Sequence, residues 1–259
     1  MKATFLGHSA WALEMGGARV LIDPYSVSED AQTAIHQFAA GGCDVVLVTH
    51  GAYDHVGMAF EIVRAAERTR LMSEPAVIRD FAAQAPCSGG FVELVWNAEA
   101  VAGGLHIRAI ETRHVSAFES SEGEFITGMP LGFVLWSEDE PDVRVLHLGD
   151  TSVFADLRLI GQLYRPTVGF IGVGAARGFL AEMTPREAAH AVLWLGLDVA
   201  LPMHFEADAK AADEFCAAIA HLPRVVNAWV PRMFEAFSIS TETWVRKSAE
   251  AVTSSRSGS

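Results

Sequence analysis

Short apolar or alternating runs recur along most of the chain. They are rich in Val, Ile and Phe and are separated by polar or Gly-containing segments, a pattern typical of strands buried in a sheet. The predicted strands cover residues 2–6, 10–15, 18–22, 44–48, 91–95, 105–110, 131–136, 142–148, 167–173, 198–201, 225–230 and 235–240.

Other segments repeat apolar residues every three or four positions, which indicates helices with one buried face. The predicted helices cover residues 57–69, 152–164, 183–196 and 206–222. The third has the clearest start, with Thr184 as the N-cap, Pro185 at the first helical position and Glu187 three residues after the cap. Many strands with helices between them predict two packed sheets flanked by helices.

No linker rich in Pro, Gly or Ser divides the interior of the chain. We therefore predict a single domain over residues 1–245, followed by a flexible C-terminal tail over 246–259 that ends in SSRSGS. Hydrophobic residues make up 51% of the 259 residues, which is enough for a substantial core. No run of apolar residues is long enough to predict a membrane span.

The charge balance narrows the expected partners. With 19 Lys and Arg against 32 Asp and Glu, the formal charge is −13, which disfavours nucleic acids and anionic membranes. We expect a small-molecule substrate, and a bound metal or a local cationic pocket could still attract an anionic one. Three widely spaced cysteines and no apparent secretion signal indicate a cytoplasmic protein, with a homo-oligomer left open.

The densest group of candidate metal ligands follows the predicted strand 44–48. The segment VVLVTHGAYDHVG places His50, Asp54 and His55 close together, and Gly51 permits a sharp turn. Imidazole and carboxylate side chains are the ligands that zinc and similar divalent metals bind. The alternative is a turn with a capping Asp54 and two surface histidines, but the flanking strand and helix favour a metal site. The pattern approaches His-x-His-x-Asp-His, with Ala52 at the second His position.

Three further strand ends offer the same residue types. His114 ends the segment IRAIETRH, Asp150 lies in VRVLHLGDTS and His204 lies in DVALPMHF. A lone histidine is usually structural, but three strand ends beside Gly, Thr or Ser favour one shared site. His147 lies three residues before Asp150, so an alternating strand turns it away, and we predict a structural role.

Together these segments resemble the metallo-β-lactamase superfamily, and in particular its bacterial metal-dependent hydrolases that include ascorbate-6-phosphate lactonase-like proteins. The resemblance extends over about residues 2 to 240 and includes FLGHSAWAL, VLIDPY, GMPLGFVL, LHLGDTSVFADLRLIGQLYRP and LPMHF. It implies an α/β (α+β) fold, a four-layer αββα sandwich of the metallo-β-lactamase type. It also implies a one- or two-metal site at the edge where the sheets meet.

The resemblance implies that one of the two metal positions lacks a ligand. His50 and His114 match two of its ligands, whereas Ala52 occupies the position of a third, and losing a ligand should weaken metal binding severely. His8 and Glu182 are candidates either to substitute for that ligand or to support other ligands. Asp23 is expected to accept a hydrogen bond from a ligand imidazole.

The other metal position is complete in the resemblance. Its ligands match Asp54, His55 and His204, and Asp150 matches the carboxylate that bridges the two positions. We therefore expect a divalent cofactor, with one tight ion and a second that is weak or absent. Zn is preferred, with Mn or Fe as alternatives, since nitrogen and oxygen ligands suit all three.

The implied function is a metal-dependent hydrolase that uses a metal-bound hydroxide to cleave an ester, lactone or phosphoester bond at a mononuclear or asymmetric site. Asp54 is the predicted catalytic residue, since it can hold the nucleophile or protonate the leaving group. The alternative is a catalytically attenuated relative that binds a metabolite or metal, which Ala52 favours and the retained ligands disfavour. Loops around 25–35, 115–130 and 174–184 are expected to set substrate specificity.

Overall fold

The computed structural model describes residues 1–174, 182–206, 208 and 210–240. The predicted tail over 246–259 lies outside the described residues. A first sheet contains seven strands: β1 (Lys2–Gly7), β2 (Ala10–Met15), β3 (Ala18–Ile22), β4 (Val45–Leu47), β5 (Arg70–Ser73), β6 (Phe91–Glu93) and β16 (Ala236–Ser238). A second contains β7 (Glu99–Ala102), β8 (Leu105–Glu111), β11 (Leu131–Ser137), β12 (Arg144–His147), β13 (Val168–Gly172), β14 (Val199–Met203) and β15 (Asn227–Ala228).

A separate hairpin pairs β9 (Ser116–Glu119) with β10 (Phe125–Gly128). The described helices are α1 (Glu29–Ala40), α2 (Tyr53–Val56), α3 (Ala59–Ala65), α4 (Pro75–Gln84), α5 (Leu157–Tyr164), α6 (Pro185–Leu195) and α7 (Lys210–Ala220). None of these described helices has both the length and the apolar character needed to cross a membrane.

Both sheets are mixed. The first runs in the order β16-β1-β2-β3-β4-β5-β6 and is parallel from β3 to β6, whereas the second runs β15-β14-β13-β12-β11-β8-β7 and is parallel from β12 to β15. The carboxyl ends of parallel neighbours lie at the same sheet edge, where ligands commonly bind. The loops that follow β3, β4, β12 and β14 therefore start from shared edges.

The strands alternate between two buried environments. In β4, Val45 and Leu47 face a central core shared by the two sheets, whereas Val46 faces a cluster that contains helix residues. Across the central core, the rings of Trp11 and Phe170 stack with centroids 3.8 Å apart and planes 4° apart. Burial on both faces explains why the sequence shows nearly continuous apolar runs rather than simple alternation.

Each sheet carries helices on its outer face. Helices α1, α3 and α4 contribute to an apolar cluster with the first sheet, and α5, α6 and α7 contribute to one with the second. The order of layers is helix, sheet, sheet, helix, which confirms the predicted αββα sandwich.

The predicted helix starts differ in accuracy. In α6, Thr184 caps the helix, its side chain accepts from the backbone N–H of Glu187, and Glu187 bonds back to Thr184, so this prediction is confirmed. Helix α5 begins at Leu157 rather than at residue 152. Helices α1 and α4 were not predicted; α1 buries only Ala31 and Ile35, which leaves little periodic signal.

Two predicted specificity loops are partly regular structure. Helix α1 covers much of 25–35, and the β9–β10 hairpin covers most of 115–130. Within the third predicted loop, residues 175–181 lie outside the described residues.

Candidate metal centre

The predicted ligands converge at one edge of the sandwich. Among the described residues, three sets of side chains place their candidate ligand atoms within 4.8 Å of one another, and the third consists of Asp150, Glu182 and His204. We call the first set the His55 group, and its members are His8, Asp54, His55 and His204. We call the second the His50 group, and its members are His50, His114 and Asp150.

Local sequence explains how the chain turns after β4. Gly51 lies against the ring of Phe118, and a Cβ added at Gly51 would come within 2.2 Å of that ring. Ala52 then precedes helix α2 in an extended conformation, and its carbonyl accepts from the N–H groups of His55 and Val56. One short helical turn thus presents Asp54 and His55 beside His50.

Three site residues adopt the left-handed backbone region that favours glycine. The φ angles are 52° for His8, 45° for Asp23 and 57° for His204, a conformation that costs roughly 1–2 kcal/mol per non-glycine residue. The N–H of His204 donates to the carbonyl of His8 at 2.9 Å. Such strain persists where surrounding contacts compensate for it, and it clusters at functional sites.

Asp150 lies between the two groups. Its Oδ2 is 3.3 Å from Nε2 of His55, 3.3 Å from Nε2 of His204 and 3.7 Å from Nε2 of His114. Burial disfavours the charged carboxylate, but the neighbouring His55 and His204 outweigh that effect and hold the pKa of Asp150 well below its usual range. A carboxylate in this position can offer an oxygen ligand to a metal ion held by either group.

His55 is oriented by a buried carboxylate. Its Nδ1 lies 2.8 Å from Oδ2 of Asp23, and both side chains are fully buried. Since a carboxylate accepts, Nδ1 donates and Nε2 faces Asp150. Burial lowers the pKa of His55, but Asp150 and Asp23 outweigh that and raise it well above its usual range, so metal binding would release a proton here.

His50 is oriented by the same buried network. Thr49 donates its hydroxyl to Asp23 at 2.8 Å, and Nδ1 of His50 lies 3.1 Å from that hydroxyl oxygen. Since the hydroxyl proton goes to Asp23, Nδ1 of His50 is the donor and its Nε2 keeps a lone pair. Burial lowers the pKa of His50 to about 3, so the ring is neutral and suited to bind a metal.

Asp54 and His8 form an ion pair at the mouth of the site. Their nearest atoms are 3.2 Å apart, and the other ring nitrogen of His8 lies 3.2 Å from Glu206. Burial opposes the charge of Asp54, but the hydrogen bond with His8 and the charge of His55 lower its pKa to about 2. Burial also opposes the charge of His8, but the hydrogen bonds with Asp54 and Glu206 raise its pKa to about 9.

Glu182 lies on the other side of His204. Its Oε2 is 3.2 Å from Nδ1 of His204, and its candidate ligand atom groups with those of Asp150 and His204. Burial and the charge of Asp150 raise the pKa of Glu182 to about 8. Among the described residues, Glu182 and His8 group with His204 rather than with the His50 group, and a substitute ligand at Ala52 stays a prediction.

The donor set fits a divalent ion. Within the described part of the chain, the buried Nε2 atoms of His55 and His204 lie 3.3 Å from Oδ2 of Asp150 without a well-aligned hydrogen bond, and the buried Oδ1 of Asp150 has no hydrogen-bond partner. Buried polar atoms without partners are rare and call for an explanation. Imidazole nitrogens and carboxylate oxygens directed at one another are accounted for by a metal ion between them.

Several other residues have clear positions. His147 donates its Nε2–H to the carbonyl of Ser9 at 2.9 Å and joins neither group, in agreement with the predicted structural role.

Tyr53 is 78% exposed and lies at the rim of the site. Arg113 pairs with Glu111 and Asp156. Glu206 was not predicted as a site residue, and the available signal was a carboxylate two residues after His204.

Comparisons with known proteins identify the family and support the fold. Residues 2–204 match the family described as Beta-lactamase superfamily domain. A UPF0173 metal-dependent hydrolase of Rubrobacter xylanophilus is 34% identical over 210 residues, which cover 79% of this chain and 81% of the relative. Another from Methanopyrus kandleri is 36% identical over 210 residues, with 79% and 84% covered. A solved metallo hydrolase from Ignicoccus hospitalis gives a TM-score of 0.73 at 24% identity, covering 92% of this chain and 99% of that one, which supports the fold.

Proposed function

The chain belongs to the β-lactamase superfamily domain family and to its UPF0173 metal-dependent hydrolases, and on that premise we propose that it hydrolyses an ester bond with one tightly held divalent ion. The observation that carries the proposal is the His55 group, which lies with Asp150 around unpartnered buried nitrogen and oxygen atoms. Lactones are included as cyclic esters. The narrower resemblance to ascorbate-6-phosphate lactonase-like proteins stays a prediction.

The proposed ligands of the tight ion are Asp54, His55, His204 and Asp150, and Zn is the preferred metal. When bound, such an ion lowers the pKa of a coordinated water and polarises the bond under attack. A second ion at His50 and His114 is proposed to be weak or absent, because Ala52 offers no ligand atom.

Asp54 is the proposed catalytic residue. With a pKa of about 2 it is ionised at neutral pH, so it can accept a hydrogen bond from the attacking water and orient it. It can then carry a proton to the leaving oxygen. His8 holds Asp54 in place from one side, and Glu206 holds His8 in turn.

A carboxylic ester suits the surroundings better than a phosphoester. Asp54 lines two cavities, of about 530 Å³ and about 290 Å³, and neither has Lys or Arg among its described lining residues. A phosphoester would bring negative charge next to Asp54 and Glu206, where the cationic ring of His8 already pairs with both carboxylates.

The variant Asp54→Asn tests the proposal. It keeps an oxygen ligand but cannot carry a proton, so we expect ester turnover to fall at least about 100-fold while metal content is retained. Turnover of p-nitrophenyl acetate and elemental analysis on the same samples separate the two effects. A wild-type protein that binds metal but hydrolyses neither p-nitrophenyl acetate nor a simple lactone would favour the attenuated, metal-binding alternative.

A further inference from the structure

A cavity of about 530 Å³ opens beside Asp54, on the side where Ala52 lies. We call it the side pocket. Its walls are the segment 51–56, helix α4 with Val77 and Phe81, and strand β9 with Phe118. Its volume lies within the range of small-molecule binding sites.

The walls of the side pocket are held together before any ligand binds. The backbone N–H and hydroxyl of Ser121 both donate to Oδ1 of Asp80 at 2.9 Å, which ties the hairpin to α4. The N–H of Gly51 donates to Oγ of Ser116 at 3.0 Å, which ties the hairpin to the ligand-bearing turn. A preformed pocket loses little conformational entropy when it binds a ligand.

The chemistry of the walls excludes an anionic ligand group. The charged lining residues are Asp54, Asp80 and Glu119, all acidic, and no Lys or Arg is among the described lining residues. Asp80 is also engaged by Ser121 and by Gln84, whose amide donates to Oδ2 at 2.8 Å. The remaining surface is mainly hydrocarbon and favours an uncharged apolar group.

Asp54 lies at the boundary between the side pocket and a second cavity. That cavity, of about 290 Å³, is lined by residues that include His8, Tyr25 and Glu206. A substrate with its scissile bond at Asp54 would therefore place one end among apolar walls and the other end near His8.

From this arrangement we propose that the side pocket binds the apolar acyl chain of an uncharged ester, and that Ala52 keeps the pocket open beside the metal centre. The inference rests on the proposed hydrolase function and adds the substrate class. In this proposal, the small side chain of Ala52 leaves space for the substrate at the position where the motif would have a metal ligand. Each methylene removed from water contributes a factor of about 4 to binding.

The test uses the metal-loaded protein and two matched variants. Ala117→Phe adds a ring at a residue that lines the side pocket. Ala83→Phe adds the same ring at an exposed residue of α4 that does not line it. The substrates are p-nitrophenyl acetate, butyrate and hexanoate, together with p-nitrophenyl hydrogen adipate, whose chain ends in a carboxylate.

For the wild type and Ala83→Phe, we expect kcat/KM to rise at least about tenfold from acetate to hexanoate and to be at least about tenfold lower for the adipate ester than for the hexanoate. Ala117→Phe should lose the chain-length preference, so that its kcat/KM values for acetate and hexanoate differ by less than about threefold. A flat length series, a retained preference in folded Ala117→Phe, or equal rates for adipate and hexanoate would overturn the inference.

Binding of hexanamide, measured by calorimetry, separates this inference from the proposed function. If no ester is hydrolysed, the hydrolase proposal fails, but the side pocket is still tested. Hexanamide binding that weakens at least tenfold in Ala117→Phe but not in Ala83→Phe supports an apolar subsite. Equal binding by all three proteins, or no binding by any, contradicts it.

Discussion

The His55 group and the His50 group are built from the same residue types, but they differ in completeness. A carboxylate, Asp23, orients His55 at 2.8 Å, whereas a hydroxyl, Thr49, orients His50 at 3.1 Å. Since Thr49 itself donates to Asp23, one buried network serves both rings. The buried network thus orients one ring in each group, and Ala52 stands where the motif would place a further histidine of the His50 group. An eroded site would be expected to lose its orienting contacts as well.

The largest expected effect comes from removing one histidine from each group. His204→Ala should weaken binding of the tight ion by more than about 100-fold, beyond the usual cost of losing a supporting contact, because His204 faces both Asp54 and Asp150. His114→Ala should weaken it by less than about tenfold. Chelator competition with Zn on both variants measures the two affinities. Equal losses would show that the groups hold the ion jointly.

The orienting network gives the next effect in size. Asp23→Asn removes the charge that fixes His55 but leaves every ligand in place, so metal affinity should fall by about 10- to 100-fold. The same chelator competition applies. Thermal unfolding of the metal-free variant is the control, because a buried network also contributes to stability. Unchanged affinity would mean that Asp23 supports the fold rather than the ligand.

Ala52→His addresses the difference between the groups directly. An imidazole at this position should raise the metal content from about one to about two equivalents, since it completes the set of His50 and His114. We expect turnover of p-nitrophenyl acetate to change by less than about threefold, because the proposed chemistry lies at the other ion. Elemental analysis after exhaustive dialysis gives the count. Two tight equivalents in the wild type would contradict the asymmetry.

Much of this comparison could be predicted from the sequence. Apolar strands that end in His or Asp pointed to candidate ligands that lie together in the structure, because the end of a buried strand leaves its next side chains at a sheet edge. The Thr184 cap could also be predicted, since the capping-box residues Thr184 and Glu187 lie within four positions of the sequence. Helix α1 was not predicted, because its buried positions are few.

What the sequence could not provide is the pairing of distant residues. Glu206 acts on His8 across 198 positions, and no local pattern reports such an approach. The choice between His8 and Glu182 as a substitute at Ala52 likewise depended on which strand ends face each other. His8 belongs to the His55 group, Glu182 contacts His204, and a cavity lies beside Ala52.

A separate expected effect, on stability rather than on metal affinity or turnover, is a pH dependence caused by Glu182, which lies beside the more complete group. Its pKa in the fold is about 8, above the ordinary 4.5. Between these values the folded metal-free protein keeps a proton that the unfolded chain releases. The stability from Glu182 is therefore fully present below the unfolded pKa and is lost as pH rises through about 8.

Glu182→Gln cannot ionise and serves as the reference for that effect. Without metal, the free energy of unfolding of the wild type should fall relative to the variant from pH 5 to 8.5. Urea denaturation at several pH values, with and without Zn, measures it. Bound metal should shrink the difference, because a nearby cation favours the ionised carboxylate. A pH-independent difference without metal would mean that Glu182 is already ionised in the folded protein. The negative charges of Glu182 and Asp150 would then be tolerated without a bound proton.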